Sequence, residues 1–354
     1  MSSSGNDAIG LRPGDWVEVR SEAEILATLA ADATLDGLPF MPEMRRYCGQ
    51  RFRVYRRADK TCDTVGQTGG LKLRNAVHLL ALRCDGSGHG GCEAGCLMFW
   101  REAWLKRVDA EGTAPAAASP PAPATGCTVQ DVERAAVVDA ATKHFRCQII
   151  NLKDFTEPLP WWDARQYVRD VAINDVKIGT VLRAFFFSAY RTLTEIGIGY
   201  RALTGLYDWV QAKRGGAPWP LRTGKCEKTP TQILSLQPGE MVRVRPYQEI
   251  LATLDRNNKN RGLWFDAEMV QYCGNTYRVT RRVTKILDEK TGKMLEFSNP
   301  CIVLQDLVCR ATKTKHRLFC PRNIPIYWRE IWLERVVPAA TPASVGEPAR
   351  ATRG

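Results

Sequence analysis

The sequence predicts an α+β protein that is mainly β, in which two tandem small β-barrel repeats flank a helical segment. The first observation is an internal repeat: a shift of 225 positions places Leu11–Arg57 on Leu236–Arg282 without a gap, with 24 of 47 residues identical. The second is that short alternating apolar segments within each copy are separated by Gly-containing turns, a pattern typical of small barrels. The third is the helical spacing of apolar residues in Ile178–Lys213, between the copies.

The start of each copy predicts a turn, a strand and a short helix. Pro13-Gly14-Asp15 is a turn sequence, and Trp16–Arg20 alternates between the two faces of a strand. Ser21 and Glu24 match a capping box at a helix start, whereas the second copy has Pro246 there and begins its helix differently. The Pro-Gly-Asp-x-Val-x-Val opening resembles SH3-like barrels, so each copy is expected to be an SH3-like β-barrel repeat.

Further strands are predicted later in the first copy. Arg51–Arg57 alternates, and Val77–Leu82 is a short apolar run. Cys84–Cys96 is too rich in glycine for a helix and is predicted to be a loop. Trp100–Val108 closes the copy and matches the segment around Trp328 in the second.

The segments between and outside the copies differ in composition. The region between the copies is predicted to contain helices at Val129–Cys147, Ala164–Ile173 and Ile178–Lys213. Gly197, Gly199 and Gly205 argue against a single unbroken helix in the last of these. The predicted organisation is a disordered N-terminus (1–10), repeat 1 with its Cys-rich loop (11–108), a flexible Ala/Pro linker (109–128), a helical segment (129–225), repeat 2 (236–337) and a disordered tail (338–354).

Composition narrows the class of protein. The formal net charge of +12 suits an anionic partner but also serves solubility. Met1–Gly10 lacks the apolar core of a secretory signal, and no run of 18 apolar residues predicts a membrane span. These features favour a cytoplasmic protein, and in a reducing compartment its twelve cysteines favour ligands, reactive thiols or core positions over disulfides.

Three cysteine positions recur in the two copies. Cys48 aligns with Cys273, Cys84 with Cys309 and, after a short insertion, Cys92 with Cys320. Three thiolates with one further donor would complete a tetrahedral zinc or iron–sulfur site. With the possible fourth ligands included, the candidate metal ligands are Cys48, Cys62, Cys84, His89, Cys92 and Cys96 in repeat 1 and Cys273, Cys301, Cys309 and Cys320 in repeat 2. His316 is a further possible fourth ligand in repeat 2.

Two other interpretations of the cysteines stay open. The spacing Cys84-x7-Cys92-x3-Cys96 is not a CxxC pair, and cysteine is common as a small core residue. Disulfides are the third alternative. Glu43 and Glu102 recur as Glu268 and Glu330; a catalytic pair is conceivable, but a structural ion pair or turn anchor is favoured.

The sequence contains no recognised catalytic motif: the P-loop, GxSxG and HExxH are all absent. His78, in an apolar run, is expected to be a core or surface histidine. Basic strand faces near Tyr55 and Tyr277 suit nucleic acid or a solvated edge. They contain Arg51, Arg53, Arg56, Arg57, Arg278, Arg281, Arg282 and Lys285.

Several strings resemble a family of bacterial proteins without an assigned activity. They are Gly37–Met44, Lys60-Thr61-Cys62-Asp63, Gly90–Cys96 and Tyr327–Leu333. The resemblance covers most of the chain outside the linker and tail. It implies a bacterial, cytoplasmic setting and no particular reaction.

Three functions from different classes follow. The first is a non-catalytic or accessory metal-binding protein that associates through the helical segment 178–213 with a protein partner or a second copy, with peripheral membrane contact as an alternative for that helix. The second is a redox or group-transfer enzyme that uses a Cys-ligated cluster, or a reactive Cys62 or Cys96, in repeat 1. The third is a nucleic-acid-binding module that uses the basic strand faces.

Overall fold

The computed structural model describes residues 9–66, 69–109, 126–197 and 199–336. About 27% of the chain is strand and 24% is helix, which confirms the α+β class. Strands exceed helices only slightly, so the expectation of a mainly β protein is wrong; the helices of the central segment account for the difference. Most of the predicted N-terminus (1–10), linker (109–128) and tail (338–354) lies outside the described residues. No described helix has the length and apolarity needed to cross a membrane.

The first copy begins as the sequence pattern predicts. Val17 and Val19 are fully buried and alternate with outward-facing residues. Ser21 and Glu24 form the predicted capping box, with each side chain accepting the other's backbone N–H. The elements of this copy are β1 (Trp16–Val19), α1 (Glu22–Leu26), β2 (Thr34–Leu35), β3 (Leu38–Pro39), β4 (Arg51–Arg57), β5 (Lys60–Cys62), β6 (Gly70–Lys72), β7 (Ala76–Leu79), β8 (Trp100–Arg101) and β9 (Leu105–Val108).

The central segment adds a strand to the first copy and then forms three helices. The predicted helix at Val129–Cys147 ends at Ala135, because the following residues form a hairpin in which Phe145 donates its N–H to Gly292 of the second copy at 2.9 Å. The elements are α2 (Val129–Ala135), β10 (Val137–Asp139), β11 (His144–Phe145), β12 (Glu157–Leu159), α3 (Arg165–Ala172), α4 (Ile178–Glu195) and α5 (Tyr200–Lys213).

The second copy repeats the elements of the first at corresponding positions. Its helix begins after Pro246, and its second and third sheet strands are longer. Its elements are β13 (Met241–Val244), α6 (Tyr247–Leu251), β14 (Lys259–Asn260), β15 (Leu263–Trp264), β16 (Thr276–Leu287), β17 (Met294–Val308), β18 (Pro325–Trp328) and β19 (Leu333–Arg335).

The two five-stranded antiparallel sheets have the same order. The first is β8-β7-β4-β1-β9 and the second is β18-β17-β16-β13-β19, so in each the last strand pairs with the first. A single turn of 3₁₀ helix, Glu102–Trp104 or Glu330–Trp332, joins the two edge strands. No backbone ladder links those edges in the described residues, so the predicted closed barrels are not found. β5, β6 and β12 form a separate sheet.

Equivalent side chains build the two hydrophobic cores. Trp104 and Trp332 are completely buried in their respective cores. The indole of Trp104 donates to Thr28 Oγ1 at 3.1 Å, and that of Trp332 donates to Thr253 Oγ1 at 3.0 Å. The repeated sequence therefore encodes a repeated core, including its polar contact.

A buried carboxylate anchors each copy. Glu102 accepts backbone N–H groups from Gly10 and Leu11 and pairs with Arg57 at 2.6 Å. In the second copy Glu330 accepts the N–H of Leu236 and pairs with Arg282 at 3.0 Å, and both arginines also donate to the carbonyl at the start of their copy. These contacts confirm the structural interpretation of this glutamate pair.

The copies pack against each other through the Cys-rich loop of the first. Glu93 accepts the N–H of Thr284 at 2.5 Å and of Lys285 at 3.2 Å on β16. Arg281 donates to the carbonyls of Glu93 and Ala94 at 2.6 and 3.1 Å. The loop is thus held by a strand of the second copy.

Candidate metal centre in the first copy

Glycines shape the loop that follows Cys84. Gly86 adopts φ +74°, and a Cβ there would lie 2.2 Å from the carbonyl oxygen of Cys92, so only glycine fits this crossing of the backbone. The carbonyl of Gly86 accepts the N–H groups of His89 and Gly91 at 3.0 and 2.9 Å. This tight turn directs His89 back toward Cys84.

Three different donor groups meet at this turn. The Cys84 thiol lies 3.0 Å from Glu43 Oε1 and 3.2 Å from His89 Nε2. The other imidazole nitrogen, Nδ1, lies 3.6 Å from Glu43 Oε1. Among the described residues, these three side chains form the one group of three or more Cys, His, Asp and Glu whose donor atoms all lie within 4.8 Å of one another.

The site is buried and contains polar atoms without partners. The side chains of Glu43 and His89 are 0% and 2% exposed. Glu43 Oε2 and His89 Nδ1 make no hydrogen bond to a described residue, which is unfavourable for buried polar atoms. Burial, followed by the Glu43 carboxylate, raises the pKa of the Cys84 thiol far above its usual value, and burial lowers the pKa of His89.

The equivalent carboxylate in the second copy has a different environment. Glu268 aligns with Glu43, but both of its oxygens accept backbone N–H groups from the loop after Cys309. Those donors are Arg310, Thr312 and Lys313. His316 does not approach this carboxylate and instead packs edge-on against Trp161, with ring centroids 5.3 Å apart. The same position is therefore a turn anchor in one copy and faces a thiol and an imidazole in the other.

The donor set fits a zinc ion. Thiolate, imidazole and carboxylate are all common zinc ligands, and in a tetrahedral site with bonds of about 2.0–2.3 Å the ligand atoms are about 3.5 Å apart. The separations from Cys84 Sγ, 3.0 Å to Glu43 Oε1 and 3.2 Å to His89 Nε2, are a few tenths of an ångström short of that spacing, and one donor atom from each of the three residues lies within 4.8 Å of the other two. An ion bound between these side chains would also give the buried Glu43 Oε2, which makes no hydrogen bond to a described residue, a charged neighbour.

The sequence predicts Cys84 and His89 as metal ligands, whereas for Glu43 it favours a structural ion pair or turn anchor, with a catalytic pair as the alternative. Its recurrence as Glu268 was the available signal. The recurrence does not show that Glu43 and Glu268 have different partners. Those partners come from the loops after Cys84 and Cys309, and the two loops align only when an insertion is allowed in the second copy.

Cys62 forms a separate pair with Cys320 across the two copies. Both thiols are buried, and a hydrogen bond from Cys320, with a further contribution from the guanidinium of Arg322, lowers the pKa of Cys62 to about 6. Arg322 Nη1 lies 3.8 Å from Cys62 Sγ. Burial and the same hydrogen bond raise the pKa of Cys320, so Cys62 is the more acidic thiol of the pair. Cys309 packs against this pair.

The remaining candidate cysteines have individual neighbours. Cys92 Sγ accepts the N–H of Leu287 at 3.3 Å, and Cys301 Sγ lies 3.6 Å from the guanidinium of Arg329. Burial raises the pKa of Cys96 and of Cys48 to about 11 and that of Cys273 to about 12. All twelve cysteines are free thiols.

Several residues of the basic strand faces make internal contacts. Besides Arg57, Arg281 and Arg282, Lys285 donates to the Gly90 carbonyl at 3.0 Å and Arg51 pairs with Glu18 at 3.3 Å. Such contacts reduce the positive charge that these faces can offer to a ligand.

His78 is completely buried and contacts the Met98 carbonyl through Nδ1 at 2.9 Å, which confirms it as a core histidine. Burial lowers its pKa to about 4, so it is neutral at pH 7.

The internal repeat supplies the comparison that bears on the candidate site, since Glu43 and Glu268 share a position and differ in partners. Comparisons of the chain with protein-family models, with curated proteins and with solved structures find no match.

Proposed function

We propose that the protein is an accessory metal-binding protein in which Glu43, Cys84 and His89 hold one zinc ion. The observation that carries the proposal is the contrast between the copies: Glu268 has both oxygens satisfied by backbone N–H groups, whereas Glu43 Oε2 and His89 Nδ1 make no hydrogen bond to a described residue. One sulfur, one nitrogen and one oxygen ligand favour zinc over an iron–sulfur cluster, which is usually held by several thiolates. A fourth position is left for water or another donor.

Zinc content tests this proposal. We expect close to one zinc per chain, and loss of that zinc in Cys84→Ser and His89→Asn, because each substitution removes one of three ligands. Glu43→Gln is expected to weaken retention. The readout is zinc measured by elemental mass spectrometry after dialysis against a mild chelator.

Cys309→Ser is the matched control, because Cys309 occupies the position of Cys84 in the second copy. It should retain zinc. A wild-type chain that takes up no zinc, or a Cys84→Ser variant that retains it, would contradict the proposal.

We further infer that each copy is an SH3-like unit. Its strand order places the last strand beside the first, followed by a meander of the second, third and fourth strands. The 3₁₀ turn before the last strand supports the same assignment. The metal site would then be a feature that the first unit has and the second lacks, with two of its ligands on the loop between β7 and β8.

The second part of the proposal is that the chain associates with a second copy through α4. Its buried residues, which include Ala184 and Phe187, lie on one side. On the opposite side an apolar stripe spans about 80° of the helix at 100° per residue. The stripe contains Ile178, Leu182, Phe186, Leu193 and Ile196, each more than 50% exposed. The inner side of α4 is already buried within the chain, so the apolar stripe on its outer side would be buried against another surface. A second copy of the chain offers an identical, uncharged stripe for that contact.

Charge inserted into the stripe should abolish association. We expect the wild-type chain to sediment as a dimer and the Leu182→Glu/Phe186→Glu variant as a monomer. Val168→Glu, on α3, is the control because Val168 is also apolar and 66% exposed. Monomeric wild-type protein at tens of micromolar would refute the dimer, and flotation with anionic vesicles would then identify the stripe as a membrane-contact face.

A further inference from the structure

A large open groove lies between the first copy and α3. Its volume is about 1090 Å³, and it is lined by residues from the start of the first copy, from β5 and β6, and from Pro158 to Asn174. This volume is at the upper end of those that hold small ligands. The groove does not include any of the three candidate zinc ligands.

The lining of the groove is strongly basic. Seven of its residues are Lys or Arg and three are Asp. Lys60, at 6% exposure, is neutralised by Asp170 at 2.5 Å and donates to the Leu318 carbonyl at 2.7 Å, which makes it part of a fixed floor.

Three arginines of the lining are exposed and available. The guanidinium groups of Arg12, Arg74 and Arg169 make no hydrogen bond or ion pair with any residue in the described ranges. Exposed guanidinium groups that converge on one concave surface are the usual ligands of phosphate groups.

An exposed indole completes the groove. Trp162 is part of the lining and is 71% exposed, although tryptophan is usually well buried. It follows the rigid segment Pro158–Pro160 and lies edge-on to Trp161, with ring centroids 6.2 Å apart. An indole held beside a cationic groove is a platform on which a planar base can stack.

We propose that this groove binds a short segment of single-stranded nucleic acid, with Arg12, Arg74 and Arg169 on successive phosphates and a base stacked on Trp162. The proposal concerns a surface separate from the zinc site and does not depend on it. It also differs from recognition through the basic strand faces, where several arginines are already paired within the protein.

Binding of a fluorescein-labelled dT12 oligonucleotide, followed by anisotropy, tests the proposal. Three phosphate contacts predict a slope of log affinity against log salt of about −2, because each contact on a single strand contributes about −0.7. Arg74→Ala and Arg169→Ala should each reduce the slope by roughly 0.7. Trp162→Ala should weaken binding roughly fivefold to 150-fold with little change in the slope.

Two control substitutions distinguish binding in the groove from nonspecific attraction of the oligonucleotide to the positive charge of the whole molecule. Arg278→Ala removes an exposed arginine from β16, and Trp209→Ala removes an indole that is 56% exposed on α5. Both should bind dT12 as the wild type does.

Competitors identify the part of the ligand that is recognised. Unlabelled dT12 should compete best, and thymidine monophosphate should compete weakly through the same residues. Inorganic polyphosphate should compete without sensitivity to Trp162→Ala. Absence of salt-dependent binding, equal losses in groove and control variants, or no effect of Trp162→Ala on dT12 would each overturn the proposal.

Discussion

Glu102→Ala is expected to lower the free energy of unfolding by about 3–5 kcal/mol, the usual cost of removing one partner of a buried ion pair. The Glu102 side chain is completely buried, and its loss would remove one of the two carboxylates that pair with Arg57, together with the acceptor of the N–H groups of Gly10 and Leu11. Urea unfolding followed by circular dichroism measures the change.

Glu330→Ala should have a similar effect, because Glu330 makes the equivalent contacts with Arg282 and Leu236. Glu296→Ala is the control: its pair with Lys143 has both side chains more than 60% exposed, and such surface pairs contribute little to stability. A loss below 1 kcal/mol for Glu102→Ala would show that the carboxylate does not anchor the copy.

Gly86→Ala is expected to destabilise the chain by about 2–5 kcal/mol and to remove bound zinc. A left-handed φ costs a non-glycine residue roughly 1–2 kcal/mol, and forcing an extra carbon into packed structure costs about 1–3 kcal/mol more. The new Cβ would lie 2.2 and 2.4 Å from the backbone oxygen and nitrogen of Cys92, so the turn that carries His89 must move. Urea unfolding and zinc content are the two measurements.

Gly49→Ala separates the two contributions. Gly49 has φ +73°, almost the same as Gly86, but a Cβ there meets nothing within 4 Å. It should therefore cost only the conformational part and leave zinc bound. Equal effects at the two glycines would show that the close approach to Cys92 is unimportant.

The features predictable from sequence were those determined by neighbouring residues. The Ser21–Glu24 capping box and the alternation of Val17 with Val19 depend on local spacing, and both are present. Of the three glycines that argue against one unbroken helix, Gly197 and Gly199 lie in the break between α4, which ends at Glu195, and α5, which begins at Tyr200, whereas Gly205 lies within α5. These signals need no knowledge of the tertiary fold.

Features that depend on distant contacts could not be predicted in the same way. The helix predicted through Cys147 stops at Ala135 because the next residues pair with the second copy. Cys92 and Cys320 align but have different neighbours: one accepts a backbone N–H and the other pairs with Cys62. Glu43 joins the candidate site from a turn some 40 positions before Cys84, a distance that no local pattern spans.

The loop of the first copy that carries His89 also presents Glu93 and Cys92 to β16. An ion that orders this loop and a strand that holds it therefore act on the same conformational equilibrium. Such coupling would be reciprocal: contact between the copies would strengthen binding of the proposed ion by the same free energy by which the ion would strengthen that contact. The second copy, which lacks the complete set of ligands, would thus control ion binding by the first copy within the same chain.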